Sequence, residues 1–430
     1  MLIFNTRAAD KIHIGHKCVA KEKSFKMRVV ISPAKAVGRI IAPPSKSVAH
    51  RLLICAALSD GVSVIRGISD CEDVAATLDC MTAMGIRSER VGEDVTVYGI
   101  GPKMIKPTGT LPCRESGSTL RFFIPIALLS GRCVMLSGAS SLLSRPMTVY
   151  ENMCREMGYA FISDEKSITV KGPLKSGEYS VVGNVSSQFI TGLLFALPTL
   201  AKDSRINITP PVESRSYIDL TIDALSKFGV EVIWEDEHTL YIKGGQKYMP
   251  MDVAVEGDYS GAAFPEALNL FDGEVVVDGL NPESIQGDRA YRRYYEQLLR
   301  GVPTIHIGNC PDLGPILFAV AAAKHGGIFS GTRRLKIKES DRAEAMATEL
   351  RKFGTAVTVG EDRVVIFPAE FKKPIEPLYG HNDHRIVMSL SILLSVVGGE
   401  IIGAEAIKKS YPDFFSHLSS LGIGVEIYDT

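Results

Sequence analysis

The chain has 430 residues, with 48 basic and 49 acidic side chains and a net charge of −1. At 45% hydrophobic and 23% charged residues it reads as an ordinary globular protein of two or three domains. The balanced charge excludes a general nucleic-acid binder or a polybasic membrane binder, and no apolar run approaches the roughly 18 residues of a membrane span.

Met1–Lys26 is basic and lacks an apolar signal core, so it is expected to be a disordered, dispensable extension. Its deletion should leave activity and stability nearly unchanged. The core is expected to start at Met27, where Met27–Ile31 reads as a strand. Eight cysteines, at positions 18, 55, 71, 80, 113, 133, 154 and 310, form no C-x-x-C pair. Several lie in apolar helical stretches, which points to a reducing compartment with no disulfide frame, zinc site or other metal. With no export signal, the expected location is cytoplasmic.

Along the chain one pattern recurs six times. An amphipathic helix ends on glycine, at positions 85, 158, 229, 301, 354 and 422, and a strand, a polar turn and a second strand are expected to follow. The clearest copies are Leu78–Gly85 with Ile86–Tyr98, and Leu225–Gly229 with Val230–Ile242; the weakest ends at Gly301. Steps between the glycines are 73, 71, 72, 53 and 68 residues. Glycine suits a left-handed helix cap, and alternations such as Val-Thr-Val-Tyr suit half-buried strands.

A second, more apolar helix accompanies each copy and is preceded by a short polar signature. These are Ser45-Lys46-Ser47, Glu115-Ser116-Gly117-Ser118, Ser186-Ser187-Gln188, Gly257-Asp258-Tyr259-Ser260, Pro311-Asp312 and Asn382-Asp383-His384-Arg385. Their steps, measured from Ser45, Ser116, Ser186, Asp258, Asp312 and Asp383, are 71, 70, 72, 54 and 71. Two landmarks share one period, including its single short step. Six β/α units in two three-unit domains follow, dividing near Glu256-Gly257-Asp258, with the apolar helices inside a helix layer and the sheets covering one side. The longest apolar stretches, around Gly192–Leu200 and Ser389–Val397, read as buried core helices.

Ser, Asp and Asn before an apolar helix can simply cap it. Here, however, Lys46, Arg51, Arg121 and Arg385 are built into the same turns. Helix N-termini offer free N–H groups and a positive dipole end, so several converging with such cations make an anion site. No phosphate-loop, dinucleotide or zinc-protease motif is present, and no cofactor is expected. The densest charged run is Leu335–Arg342, whose alternative reading is a solvated helix start.

With these segments in order, together with Arg145-Pro146-Met147 and Lys409-Ser410-Tyr411-Pro412, the chain from Met27 onward resembles the enolpyruvylshikimate-phosphate synthase family. The resemblance implies an α/β (α+β) fold of two similar domains, each of three βαβαββ repeats, with the active site in the cleft between them. It assigns residues 45–256 to one domain and residues 27–44 plus 257–430 to the other. It implies transfer of the enolpyruvyl group of phosphoenolpyruvate to shikimate 3-phosphate, glyphosate as an inhibitor, and a monomer with no nucleic-acid or membrane partner. By the same resemblance Lys46, Ser47, Arg51, Ser186, Ser187, Gln188, Ser214, Tyr217, Asp312 and Lys338 bind shikimate 3-phosphate. Lys46, Gly117, Arg145, Gln188, Arg342, Arg385 and Lys409 bind phosphoenolpyruvate, and Asp312, Glu339 and Lys46 are catalytic. Like charges on the two walls are expected to hold the cleft open until anions close it.

Some positions depart from the commonest family pattern: Pro44, His50, Glu115, Ser116, Phe122 and Arg334. The related UDP-N-acetylglucosamine enolpyruvyl transferases carry a catalytic Cys five residues before the loop Arg. The matching residue here is Ser140, and Gly138–Leu143 contains no Cys.

Overall fold

Five of the six helix-ending glycines adopt the left-handed conformation, with φ from 73° at Gly158 to 90° at Gly354 and Gly422. A side chain is strained there, which is why glycine recurs. Gly301, at φ 155°, is the exception and ends the weakest copy. The computed structural model describes residues 27–429, so the expectations for Met1–Lys26 fall outside it.

After Gly85, Gly158, Gly229 and Gly354 the chain forms the expected antiparallel hairpins, for example Arg87–Val91 with Asp94–Ile100 and Val357–Val359 with Arg363–Ile366. The two remaining copies depart from expectation. After Gly301 only Thr304–His306 follows, and it pairs in parallel with Gly327–Ser330 of the next unit. The missing hairpin accounts for the short step. After Gly422 a single strand, Gly424–Asp429, pairs antiparallel with Met27–Ser32, so the last unit is completed by the start of the described chain.

Among the described residues there are five four-stranded sheets and one two-stranded sheet. Each four-stranded sheet joins one parallel pair to two antiparallel pairs, as where Leu111–Pro112 runs parallel to Cys133–Ser137. The two-stranded sheet pairs Glu274–Asp278 with Val37–Ile41.

Beneath the sheets lie the apolar helices. Lys46–Leu58, Gly117–Leu129 and Ser187–Ala196 are buried almost throughout, as are Tyr259–Ala267, Gly314–Ala323 and His384–Val397. A helix apolar on every face must be surrounded by protein, and these pack on one another: Gly117–Leu129 on Ser187–Ala196, Gly314–Ala323 on His384–Val397. Their amphipathic companions, such as Arg215–Lys227 and Tyr291–Arg300, keep one face exposed. Two hydrophobic cores result. One is drawn from Val48 to Tyr248, the other from Met27–Ile40 and Tyr259–Ile423. No helix among the described residues is long and apolar enough to cross a membrane.

The chain passes between the cores twice, and the two passages lie side by side. Ser45 N donates to Glu256 O at 2.8 Å and Asp258 N to Pro43 O at 2.7 Å. Directly beyond these bonds the Lys46 and Tyr259 helices begin, so their N-termini open onto the gap between the cores.

Candidate active site

The starts of all six apolar helices converge on one cavity of about 1130 Å³, part of it open to solvent. Capping and site-building coexist in the polar signatures. Ser116, Ser186, Asp258 and Asp383 accept from Thr119 N, Gln188 N, Ser260 N and Arg385 N at 2.9–3.3 Å. Asp312 does something else. It sits within the turn Pro311–Leu313, and its carboxylate accepts from Arg342 (2.7 Å), Lys338 (3.1 Å) and Arg385 (3.2 Å).

Eight cations line the cavity: Lys46, Arg51, Arg121, Arg145, Arg334, Lys338, Arg342 and Arg385. Five carboxylates stand against them, on Asp73, Asp258, Asp288, Asp312 and Glu339. Six helix N-termini, each equivalent to roughly half a positive charge, add to that excess. A chain of net charge −1 therefore holds a strongly positive pocket. Buried Nε atoms of Arg121, Arg145 and Arg385, and both ring nitrogens of His384, have no protein hydrogen-bond partner. Burial, reinforced by Lys46 and Arg385, pushes the His384 pKa well below its usual value, so that ring is neutral near pH 7.

The two halves contribute different tools. From the first come Lys46, paired with Asp73 at 2.7 Å, and Arg145. Arg51 is tied to Ser47 O, Thr221 Oγ1 and Tyr217 O at 2.6–2.9 Å. Gln188 links Arg121 (2.8 Å) to Ser118 (2.9 Å). Ser187 lines the same wall, and Ser214, at φ 56°, accepts from Arg334 at 2.7 Å. The second half supplies Arg342, whose guanidinium grips Asp312, Glu339 and Asp383 at 2.7–2.8 Å while only 1% of its side chain is exposed.

Burial alone would raise the pKa values of Asp312 and Glu339. Arg385, Lys338 and Arg342 outweigh that at Asp312, and Arg342, Arg145 and Lys338 do so at Glu339. Both carboxyls are held well below their ordinary range and are ionised at neutral pH.

Where the walls meet, unlike groups face one another among the cations. Arg145 stands 3.6 Å from Glu339, and Tyr217 Oη donates to Asp288 at 2.8 Å, 3.5 Å from Asp312. Every residue expected at the site lines the cavity except Lys409, whose ammonium is bonded to Glu115 and, at 2.8 Å, to Asn382 O. Sequence reasoning named His384 within a helix-start signature but did not single out Asp73 or Asp288. Their roles depend on partners far along the chain, although the adjoining Glu72-Asp73 helix start offered a signal for the first.

The family model described as EPSP synthase (3-phosphoshikimate 1-carboxyvinyltransferase) matches residues 30–418. The chain belongs to this family. The 3-phosphoshikimate 1-carboxyvinyltransferase of Clostridium kluyveri is 39% identical over 416 residues, covering 92% of this chain and 97% of its own. One from Clostridium perfringens is 40% identical over 420 residues, covering 92% and 98%. Among solved structures, EPSP synthase from Acinetobacter baumannii superposes with a TM-score of 0.76 at 24% identity, covering 94% of this chain and all of that one. The enolpyruvyl transferase NikO from Streptomyces tendae gives 0.74 at 13% identity with the same coverage. At such identities the structural likeness speaks to the EPSP synthase fold, and family membership rests on the sequence matches.

Proposed function

We propose that this chain transfers the enolpyruvyl group of phosphoenolpyruvate to the 5-hydroxyl of shikimate 3-phosphate, releasing phosphate, on the pathway to chorismate and the aromatic amino acids. One observation carries the reading: in a chain of this family, eight cations and two ionised carboxylates, Asp312 and Glu339, converge on one cavity. The chemistry needs that set, because two polyanions must be held while protons move at an oxygen and a carbon.

Lys46, Ser47, Arg51, Ser186, Ser187, Gln188, Ser214, Tyr217, Asp312 and Lys338 hold shikimate 3-phosphate. Gly117, Arg145, Gln188, Arg342, Arg385 and Lys409, with Lys46, hold phosphoenolpyruvate. Asp312 takes the proton of the 5-hydroxyl as its oxygen attacks C2 of phosphoenolpyruvate. Glu339 protonates the C3 methylene, giving a tetrahedral ketal. Glu339 then removes a proton from the new methyl group, the C–O bond to phosphate breaks, and the vinyl group is restored.

Glu339 is ionised in the free protein and must gain a proton before it can act as an acid. Phosphoenolpyruvate supplies the means. Its carboxylate and phosphate neutralise Arg145 and Arg342, two of the cations that depress the Glu339 pKa, so binding raises it. Lys46 stands by as a second proton carrier. Burial, the largest single effect, would lower its pKa, but the Asp73 ion pair and the Glu339 carboxylate together raise it above the usual value.

The working unit is a cytoplasmic monomer of two domains, residues 45–256 and residues 27–44 with 257–430. Purified protein given phosphoenolpyruvate and shikimate 3-phosphate should release one phosphate per enolpyruvyl product. Replacing shikimate 3-phosphate by UDP-N-acetylglucosamine should release none. Phosphate release with the nucleotide sugar alone would overturn the assignment.

Gly117 provides a second check. Its φ lies outside the left-handed region, so the turn does not require glycine. A Cβ there would stand 2.9 Å from Arg121 Nη1 and 3.0 Å from Arg145 Nη1. Gly117→Ala therefore presses on Arg145, which receives phosphoenolpyruvate and its longer competitor glyphosate, and on the neighbouring Arg121. The inhibition constant for glyphosate should rise about tenfold or more, equivalent to roughly 1.4 kcal/mol, with a smaller rise in KM for phosphoenolpyruvate. Equal inhibition curves for parent and variant would exclude the steric account.

A further inference from the structure

Glu115 is one of the departures from the common family pattern, and in space it crosses the cleft. It immediately precedes Ser116, the cap of the Gly117–Leu129 helix in the first half. Its carboxylate meets two groups of the second half. The Lys409 ammonium forms an ion pair with it, and Asn382 Nδ2 donates to Oε1 and Oε2 at 3.4 and 3.3 Å. Lys409 in turn donates to Asn382 O at 2.8 Å, closing a ring of three residues. Ser141 Oγ donates to Glu115 Oε1 at 3.5 Å from the first-half side.

The surroundings favour a working contact over an incidental surface pair. The Lys409 side chain is 8% exposed, so its charge depends on partners. Asn382 holds a left-handed φ of 53° and directly precedes Asp383, which caps the helix carrying Arg385. The turn Ala404–Lys409 packs on the Glu72–Ala83 helix of the opposite half, the helix that carries Asp73. Where the ring closes, the walls bearing Lys46 and Arg385 are brought together.

We propose that Glu115 is a positioning residue for the transfer reaction. It is the first-half member of a charged clasp, with Lys409 and Asn382, that holds the cleft in its closed form. The clasp touches neither Asp312 nor Glu339, so it leaves the proton transfers alone; it acts on the population of the closed state and, through Lys409, on the placement of a cation that holds phosphoenolpyruvate. An anion bridging both walls binds the closed form, and its apparent affinity scales with the fraction closed. The effect on the reaction rests on the enolpyruvyl-transfer reading above; the clasp itself does not.

Two variants test it, Glu115→Ala and Glu115→Gln, the amide retaining the Asn382 contact without the charge. Small-angle scattering on the protein without substrates tests the clasp independently of function. Glu115→Ala should have a larger radius of gyration than the parent at low salt, with Glu115→Gln between them and the difference shrinking as salt screens the ion pair. In the phosphate-release assay, Glu115→Ala should raise KM for phosphoenolpyruvate about threefold to tenfold while kcat stays within about twofold, the pattern of a shifted closing equilibrium. Equal radii of gyration overturn the clasp. Unequal radii with an unchanged or lowered KM overturn its role in substrate binding; a lowered KM would mean that Glu115 withholds Lys409 from the substrate. If the parent itself releases no phosphate, the functional reading fails, and the scattering comparison still decides the clasp.

Discussion

Glu339→Gln should lower turnover by about 10²–10⁴-fold while leaving folding and shikimate 3-phosphate binding intact. The amide nearly matches the carboxylate in shape and can still accept from Arg342, which donates to Glu339 at 2.7 Å. What it cannot do is cycle a proton between solvent and the C3 carbon. That distinction has its own readout in deuterated water. The parent should place deuterium in the vinyl group of the product, because the ketal methyl gains one hydrogen from Glu339 and loses any of three. The variant should show slow turnover and slow incorporation together. Near-normal turnover in a folded variant would remove Glu339 from the acid–base role. Normal deuterium incorporation at greatly reduced turnover would move the carbon proton to another group, with Lys46 the first candidate.

The second large effect is on stability. Arg342→Met removes the one guanidinium shared by Asp312, Glu339 and Asp383. Burial works against the charge of Arg342, but the three carboxylates outweigh it and hold its pKa above the usual value. Asp383 is fully buried and would retain only Arg385 N at 2.9 Å and Ser340 Oγ at 3.1 Å. Stranding a buried carboxylate in this way costs about 3–5 kcal/mol, so the urea midpoint should fall sharply. Arg342→Lys keeps the charge but cannot reach three carboxylates with one ammonium, and should fall between parent and Arg342→Met. Adding Asp383→Asn to Arg342→Met should recover part of the loss, because the stranded group is then neutral. A midpoint unchanged in Arg342→Met would show that the network contributes nothing to stability.

What the sequence reveals about this fold follows the range of its signals. Glycine at a left-handed helix end, polar residues before an apolar helix and alternation in a hairpin are local, and they recur closely enough to expose six units. The departures are all long-range. Gly424–Asp429 lacks its own hairpin because Met27–Ser32, at the other end of the described chain, completes its sheet. The Gly301 unit is short because it lacks its hairpin, and its strand Glu274–Asp278 takes its parallel partner from Val37–Ile41, which no local pattern announces.

The site divides in the same way. Its anion-binding character was legible because cations sit in the helix starts themselves. Lys46 with Asp73, Tyr217 with Asp288 and Lys409 with Glu115 were not, since each pairing depends on how separate elements pack. For Asp312 the sequence left capping and catalysis both open. Its three cationic contacts separate it from the other helix starts, a distinction of geometry that residue type cannot express.

The central claim is that phosphoenolpyruvate is cleaved here at its C–O bond and not, as when it donates phosphoryl, at its P–O bond. Phosphoenolpyruvate labelled with ¹⁸O at the bridging oxygen and turned over with shikimate 3-phosphate tests this directly. Cleavage of the C–O bond carries the label into inorganic phosphate and leaves an unlabelled enolpyruvyl ether on the shikimate ring. Recovery of the label in pyruvate, with phosphate unlabelled, would contradict the account.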